Sequence, residues 1–238
     1  MMKCWMMLML CAVLVLPGMV WSATPGKDTA DDPAYQKNPP WNSGDNGGKG
    51  FVGWNLVASD NSGEAGFKVG DSKSINSDIN SSGGRAFGLF AKGAGRSAEA
   101  YRTFDAPLNA GQSFSVALAV NFRSGLKGLD IRTPASDGER TIFNFTVGGD
   151  DYAVHNAKSG NGSAGSAYDA RTSFVITLNQ TSDAGGTWTV VRSGGVSGSI
   201  SGTYEGRAAG AKYFVRDTDG GKENEMWINN LTISSAAP

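Results

Sequence analysis

The sequence predicts an all-β fold, a two-sheet antiparallel β-sandwich, on three observations. From Trp41 onward, apolar runs of five to ten residues alternate with turn clusters. Several runs alternate apolar and polar side chains, the pattern of a strand with one buried face. No stretch carries helical periodicity, and no fixed-period repeat marks a propeller or a β-helix.

The elements follow in chain order. Residues 51–58, 66–70, 86–92 and 98–104 are short strand candidates. Residues 113–122 are the clearest: Phe114, Val116, Leu118, Val120 and Phe122 share one face, and Ser113, Ser115, Ala117, Ala119 and Asn121 the other. Residues 128–133 come next, then 141–147, where Phe143, Phe145 and Val147 oppose Asn144 and Thr146. After 152–156, residues 172–180 set Phe174, Ile176 and Leu178 on one face. Residues 187–193, 197–204, 211–216 and 225–233 complete the set. Gly83-Gly84, Asp137-Gly138, Gly148-Gly149, Gly185-Gly186 and Gly194-Gly195 between them supply the backbone freedom of turns. Strands at this spacing fill two sheets packed face to face.

The first residues read as a processing segment. Lys3 gives a positive start, Cys4 to Met19 is apolar apart from Pro17 and Gly18, and cleavage after Ser22 or Ala23 follows. The expected organisation is a signal peptide over 1–23, a polar lead-in over 24–40 containing Pro33, Pro39 and Pro40, and a β-sandwich domain over 41–235. The expected location is secreted, extracellular or periplasmic. Cys4 and Cys11 both fall in the removed segment, so disulfides, thiolate catalysis and zinc–thiolate sites are excluded. A formal net charge of −1 without any Lys/Arg cluster excludes a nucleic-acid footprint.

Three features bear on chemistry. Sugar rings stack on aromatic faces while their hydroxyls need amides, carboxylates or guanidinium groups. Trp41, flanked by prolines and Asn42-Ser43-Gly44, is the candidate exposed ring, whereas Trp54 and Trp227 lie in apolar strands and read as core. Asn121, Arg123, Asp130, Arg132 and Asn144 stand opposite or next to apolar positions and form a polar strip if their strands are neighbours. The loop Asp217-Thr218-Asp219-Gly220-Gly221-Lys222-Glu223-Asn224-Glu225 offers Asp217, Asp219, Glu223 and Glu225 to a structural calcium ion, without EF-hand spacing.

Catalytic signatures are missing. Glu64, Glu99, Glu139 and Glu205 are isolated, and there is no Gly-x-Ser-x-Gly elbow and no His-Glu-x-x-His. The enzymatic alternative is a jelly-roll polysaccharide hydrolase or lyase, with His155, Tyr152 and Arg132 as its candidate groups.

The opening Trp41-Asn42-Ser43-Gly44-Asp45-Asn46-Gly47-Gly48-x-Gly50-Phe51-x-Gly53-Trp54 resembles that of a domain found in exported bacterial proteins. The likeness continues through Gly66-Phe67-x-Val69-Gly70, Ala86-Phe87-Gly88-Leu89-Phe90-Ala91 and Phe143-x-Phe145-x-Val147. It ends in Trp227-Ile228-Asn229-Asn230-Leu231-Thr232-Ile233, similar to the closing strand of concanavalin-like or jelly-roll carbohydrate-binding modules. Some such domains are appended to secreted polysaccharide-degrading enzymes, and an acidic residue commonly stands where Asn144 stands here. The resemblance implies an accessory, glycan-binding role and supplies no catalytic residue. The expected protein is thus a monomeric, non-catalytic binder of a polysaccharide or cell-surface glycan. A structural or adhesive surface protein without a small ligand is the alternative.

Overall fold

The computed structural model describes residues 22–59, 62–120, 124–148, 151–155, 158, 161–167, 169 and 171–235. The expected signal peptide lies almost wholly outside these residues. The strands are β1 (Gly26–Asp28), β2 (Asn55–Ala58), β3 (Ala65–Gly70), β4 (Ala86–Ala91) and β5 (Ser97–Thr103). Next come β6 (Gln112–Val120), β7 (Leu126–Arg132), β8 (Thr141–Gly148), β9 (Asp151–His155) and β10 (Gly162–Ser163). Last are β11 (Ser173–Ser182), β12 (Gly185–Ser193), β13 (Gly198–Glu205), β14 (Gly210–Arg216) and β15 (Met226–Ser235). Among the described residues there is no α-helix, only short 3-10 turns.

Two antiparallel sheets result. One has eight strands in the order β13-β12-β11-β6-β15-β4-β3, with β1 also on β15; the other has seven, β10-β9-β8-β7-β14-β5-β2. The all-β sandwich expected from the alternation is the fold observed. Phe114, Val116, Leu118 and Val120 of β6 are buried between the sheets, as are Phe143, Phe145 and Val147 of β8 and Phe174, Ile176 and Leu178 of β11. Burying each such side chain contributes about 1.5–3 kcal/mol relative to exposure.

A second, smaller cluster sits outside the eight-stranded sheet. Trp227 lies over Gly88, where a Cβ would come within 2.9 Å of its ring. Ile75, Ile79, Ala86 and Ala119 pack around it. The core reading of Trp54 and Trp227 therefore holds, at 1% and 2% exposure.

Residues 24–40, expected as a loosely held lead-in, are built into the sandwich. Gly26–Asp28 pairs with Ile233–Leu231 of β15. Asp28 then meets Arg102 of β5 across the sandwich at 2.6 Å, both side chains fully buried. The Tyr35 hydroxyl donates to Asp28 Oδ1 at 2.8 Å and accepts from the Gly47 amide at 2.9 Å. The Arg102 guanidinium stacks on Phe51 and Trp54, 4.9 Å from each ring centroid. Prolines argue for a linker only when the residues between them have nothing to bury; here Asp28 and Tyr35 do.

Candidate functional site

Alternation along the strands of the seven-stranded sheet decides which side chains turn to its outer face, although Asp130 and Phe214 on that face are themselves largely covered. Ala98, Ala100 and Arg102 of β5, Leu129 and Ile131 of β7, Tyr213 and Val215 of β14 and Phe143 and Phe145 of β8 point into the core. Their neighbours in sequence must then point outward. Register brings six of these into one row across the sheet. Asn55 pairs with Tyr101, Tyr101 with Lys212, Lys212 with Asp130, Asp130 with Asn144, and Asn144 with His155. At a strand spacing of about 4.8 Å the row extends about 24 Å.

The centre of the row is tied together. Asn144 Nδ2 donates to Asp130 Oδ1 at 2.7 Å, and Lys212 Nζ pairs with Asp130 Oδ2 at 3.0 Å. From the same row the Tyr101 hydroxyl donates to Glu99 Oε2 in the adjacent row at 2.6 Å, and Arg216 makes a short ion pair with Glu99 Oε1. Partial burial pushes the Glu99 carboxyl up, but hydrogen bonds from Tyr101 and Arg216 and the charge of Lys212 outweigh it and hold the group below its ordinary value. Burial and the Glu99 carboxylate push the Tyr101 hydroxyl up to about 12, so it remains a donor at neutral pH. Phe214 lies flat on the sheet because Gly128 leaves room: a Cβ there would meet the ring at 3.1 Å. Lys212 and Arg216 flank that ring at 5.3 and 5.7 Å.

Two adjoining depressions open on this face. One, of about 300 Å³, is lined by Leu126, Asp130, Asn144, Thr146, Lys212, Phe214 and Arg216. The other, of about 200 Å³, lies further along the same strands, with Tyr101, Thr103, Arg132, Pro134, Glu139 and Gly210 on its wall. Arg132 pairs with Glu139 at 2.8 Å. The combination offers acceptors, donors and hydroxyls at close range on an open surface, which suits a polyhydroxylated ligand.

Of the sequence candidates, Asp130, Arg132 and Asn144 meet on this face. Asn121 and Arg123 lie outside the described residues. Trp41 is corrected: it is 2% exposed and locked among Trp54, Phe67 and Phe87, with ring centroids 5.0, 5.5 and 4.7 Å away. Among the described residues no tryptophan is exposed, because each indole fills the space above or between the sheets. Lys212, Arg216, Tyr101 and Glu99 were missed. Their signal is the alternation of 97–103 and 210–216, but only strand order sets them beside Asp130.

The acidic loop does not gather its carboxylates. Asp217 Oδ1 accepts from the Gly95 amide at 2.6 Å, Asp219 Oδ2 from Ser124 Oγ at 2.8 Å, and Glu225 Oε1 holds Lys68 at 2.6 Å. Glu223 folds back against Gly221. Among the described residues no three of His, Cys, Asp and Glu are grouped to hold a metal ion. The enzymatic trio is also divided. Tyr152 points into the core against Phe174 and the Arg192 guanidinium, while His155 is exposed beside Asn161. Three residues apart on a strand means opposite faces.

The sequence matches no protein-family profile and no curated protein. Similar solved structures include an endo-β-1,4-glucuronan lyase from the fungus Trichoderma reesei, at 8% identity and a TM-score of 0.47 over 76% of this chain and 90% of that one. A carbohydrate esterase from the Shiga toxin-encoding bacteriophage phi24B shares 16% identity at 0.43, over 78% and 91%. The exoplasmic/lumenal domain of VIP36, in a Ca2+/Man3GlcNAc-bound form, shares 13% at 0.42, over 78% and 84%. At this level of likeness the fold class rests on the two sheets themselves.

Proposed function

We propose that the protein is a secreted, non-catalytic carbohydrate-binding β-sandwich that takes a polysaccharide or cell-surface glycan on the outer face of its seven-stranded sheet. The observation that carries this reading is the polar row centred on Lys212, Asp130 and Asn144. Export rests on the N-terminal segment. Recognition is by hydrogen bonds donated by amide and cationic groups and accepted by carboxylates, since the tryptophans serve the core. Calcium at the acidic loop is a separate proposal, and it requires Asp217, Asp219 and Glu225 to leave the partners that hold them apart here.

The test is retention of the mature chain on a polysaccharide panel, with and without EDTA. A shallow sugar site gives weak binding per site. Lys212→Met and Asn144→Ala are each expected to weaken retention about tenfold, the scale of one charge-assisted hydrogen bond. Retention unaffected by both variants would place the ligand elsewhere. Loss in EDTA alone would implicate the loop.

A structural or adhesive role is the second reading, and one observation favours it. The outer face of the eight-stranded sheet carries Ser113, Ser115, Thr177, Asn179, Thr187 and Thr189 in register, without charge. Self-association or cell adhesion without glycan retention is its expected signature.

A further inference from the structure

We infer that the outer face of the seven-stranded sheet selects uncharged glycans and turns away uronates and other acidic sugars. This rests on the glycan-binding reading and specifies the ligand class.

Three basic side chains line the two depressions, Arg132, Lys212 and Arg216. Each already holds a carboxylate: Lys212 pairs with Asp130 at 3.0 Å, Arg132 with Glu139 at 2.8 Å, and Arg216 with Glu99 at short range. Each pair is neutral, so the three together add no net charge to the face. Asp130 has its second oxygen occupied by Asn144.

These pairs are saturated in charge but not in hydrogen bonds. A lysine ammonium carries three donors and a guanidinium five, while each carboxylate has about four lone-pair sites. A sugar hydroxyl both donates and accepts, so it can bridge the two members of a pair without separating them. A uronate carboxylate only accepts. It would have to approach a cation whose partner carboxylate already stands within hydrogen-bonding distance, and the two anions would repel. Glu99 strengthens the effect, because its partial burial is outweighed by hydrogen bonds from Tyr101 and Arg216, which hold its carboxyl below its ordinary value and keep it ionised at neutral pH. Among the described residues, the three cations lining the depressions are all paired, whereas recognition of an acidic sugar requires an unpaired one.

The test compares the mature chain on soluble β-glucan, galactomannan and α-mannan with its behaviour on polygalacturonate and alginate, by affinity electrophoresis at low and moderate salt. Retention on a neutral polymer at least about tenfold stronger than on either polyuronate supports the inference, a difference of about 1.4 kcal/mol. Stronger, salt-sensitive retention on a polyuronate overturns it while leaving the glycan-binding reading intact. Retention on none of the polymers overturns both. Glu139→Gln, at a pair half open to solvent on the acid's side, frees Arg132 from its partner. It is expected to raise polyuronate retention about tenfold with an unchanged melting temperature. A folded Glu139→Gln protein with unchanged polyuronate retention refutes charge pairing as the source of selectivity.

Discussion

Charge at single residues is managed in two ways in this protein. At the surface site, Glu99 is held ionised by Tyr101 and Arg216. Its folded form therefore binds a proton less readily than the unfolded chain, whose carboxyl has an ordinary value of 4.5. The stabilisation is complete above that value and is lost as pH falls through the lower folded value. A thermal melt series from pH 6 downward is expected to show the wild type losing stability more steeply than Glu99→Gln below about pH 4.5. Parallel curves would show that the pair contributes nothing. In the interior, by contrast, Asp28 and Arg102 are both fully buried, and burial rather than pairing is the dominant influence on Asp28.

At the scale of elements, β7 and β14 do the most for the site. They supply Asp130, Arg132, Lys212 and Arg216, and they pair with each other at the middle of the seven-stranded sheet. Gly128 sits where both strands need closeness. A Cβ there would lie 2.0 Å from the Phe145 carbonyl oxygen of β8 and 3.1 Å from the Phe214 ring of β14. Gly128→Ala is expected to cost about 1–3 kcal/mol by chemical denaturation, as overpacking does. Lifting Phe214 would also displace its flanking cations, so glycan retention should fall along with stability. A variant of native stability would mean that β7 and β8 separate without penalty.

Across the whole molecule, one ion pair reaches from one sheet to the other. Asp28 belongs to β1, which rides on the eight-stranded sheet, and Arg102 to β5 of the seven-stranded sheet. The glycine-rich opening motif closes over this pair. At Gly48 a Cβ would fall 2.5 Å from the Asp28 Cβ, and at Gly47 2.4 Å from the Asp32 carboxyl carbon. The glycines are therefore architectural: they let backbone approach the buried pair, so that the Gly47 amide donates to the Tyr35 hydroxyl, which donates to Asp28, while Asn46 Oδ1 accepts from Arg102. Arg102→Met leaves Asp28 buried without its counter-charge and is expected to cost about 3–5 kcal/mol. The measurement is the urea midpoint, and a loss below about 1 kcal/mol would show that Asp28 is neutral or hydrated in the fold.

Fold class was legible in the sequence because side-chain period is a local property. Phe114 to Val120 and Phe143 to Val147 declare their faces without knowing their partners, and the sheets bear this out. Part of the site was legible for the same reason: Asp130, Arg132 and Asn144 had to face away from Leu129, Ile131 and Phe143. Partnership was not local. Lys212 lies 82 residues after Asp130 in sequence, yet stands directly beside it by strand register. Trp41 read as exposed because its neighbours are polar and proline-rich, but the space it fills is made by Trp54, Phe67 and Phe87 from other segments. The sequence by itself determined most of the strands and their buried faces. Only the tertiary structure decided that Gly26–Asp28 of the lead-in is a strand, that the opening glycines enclose an ion pair, and that Arg132, Lys212 and Arg216 on the open face each have a partner. Those depend on which strands lie side by side, and strand order is set by the packing of the whole sandwich.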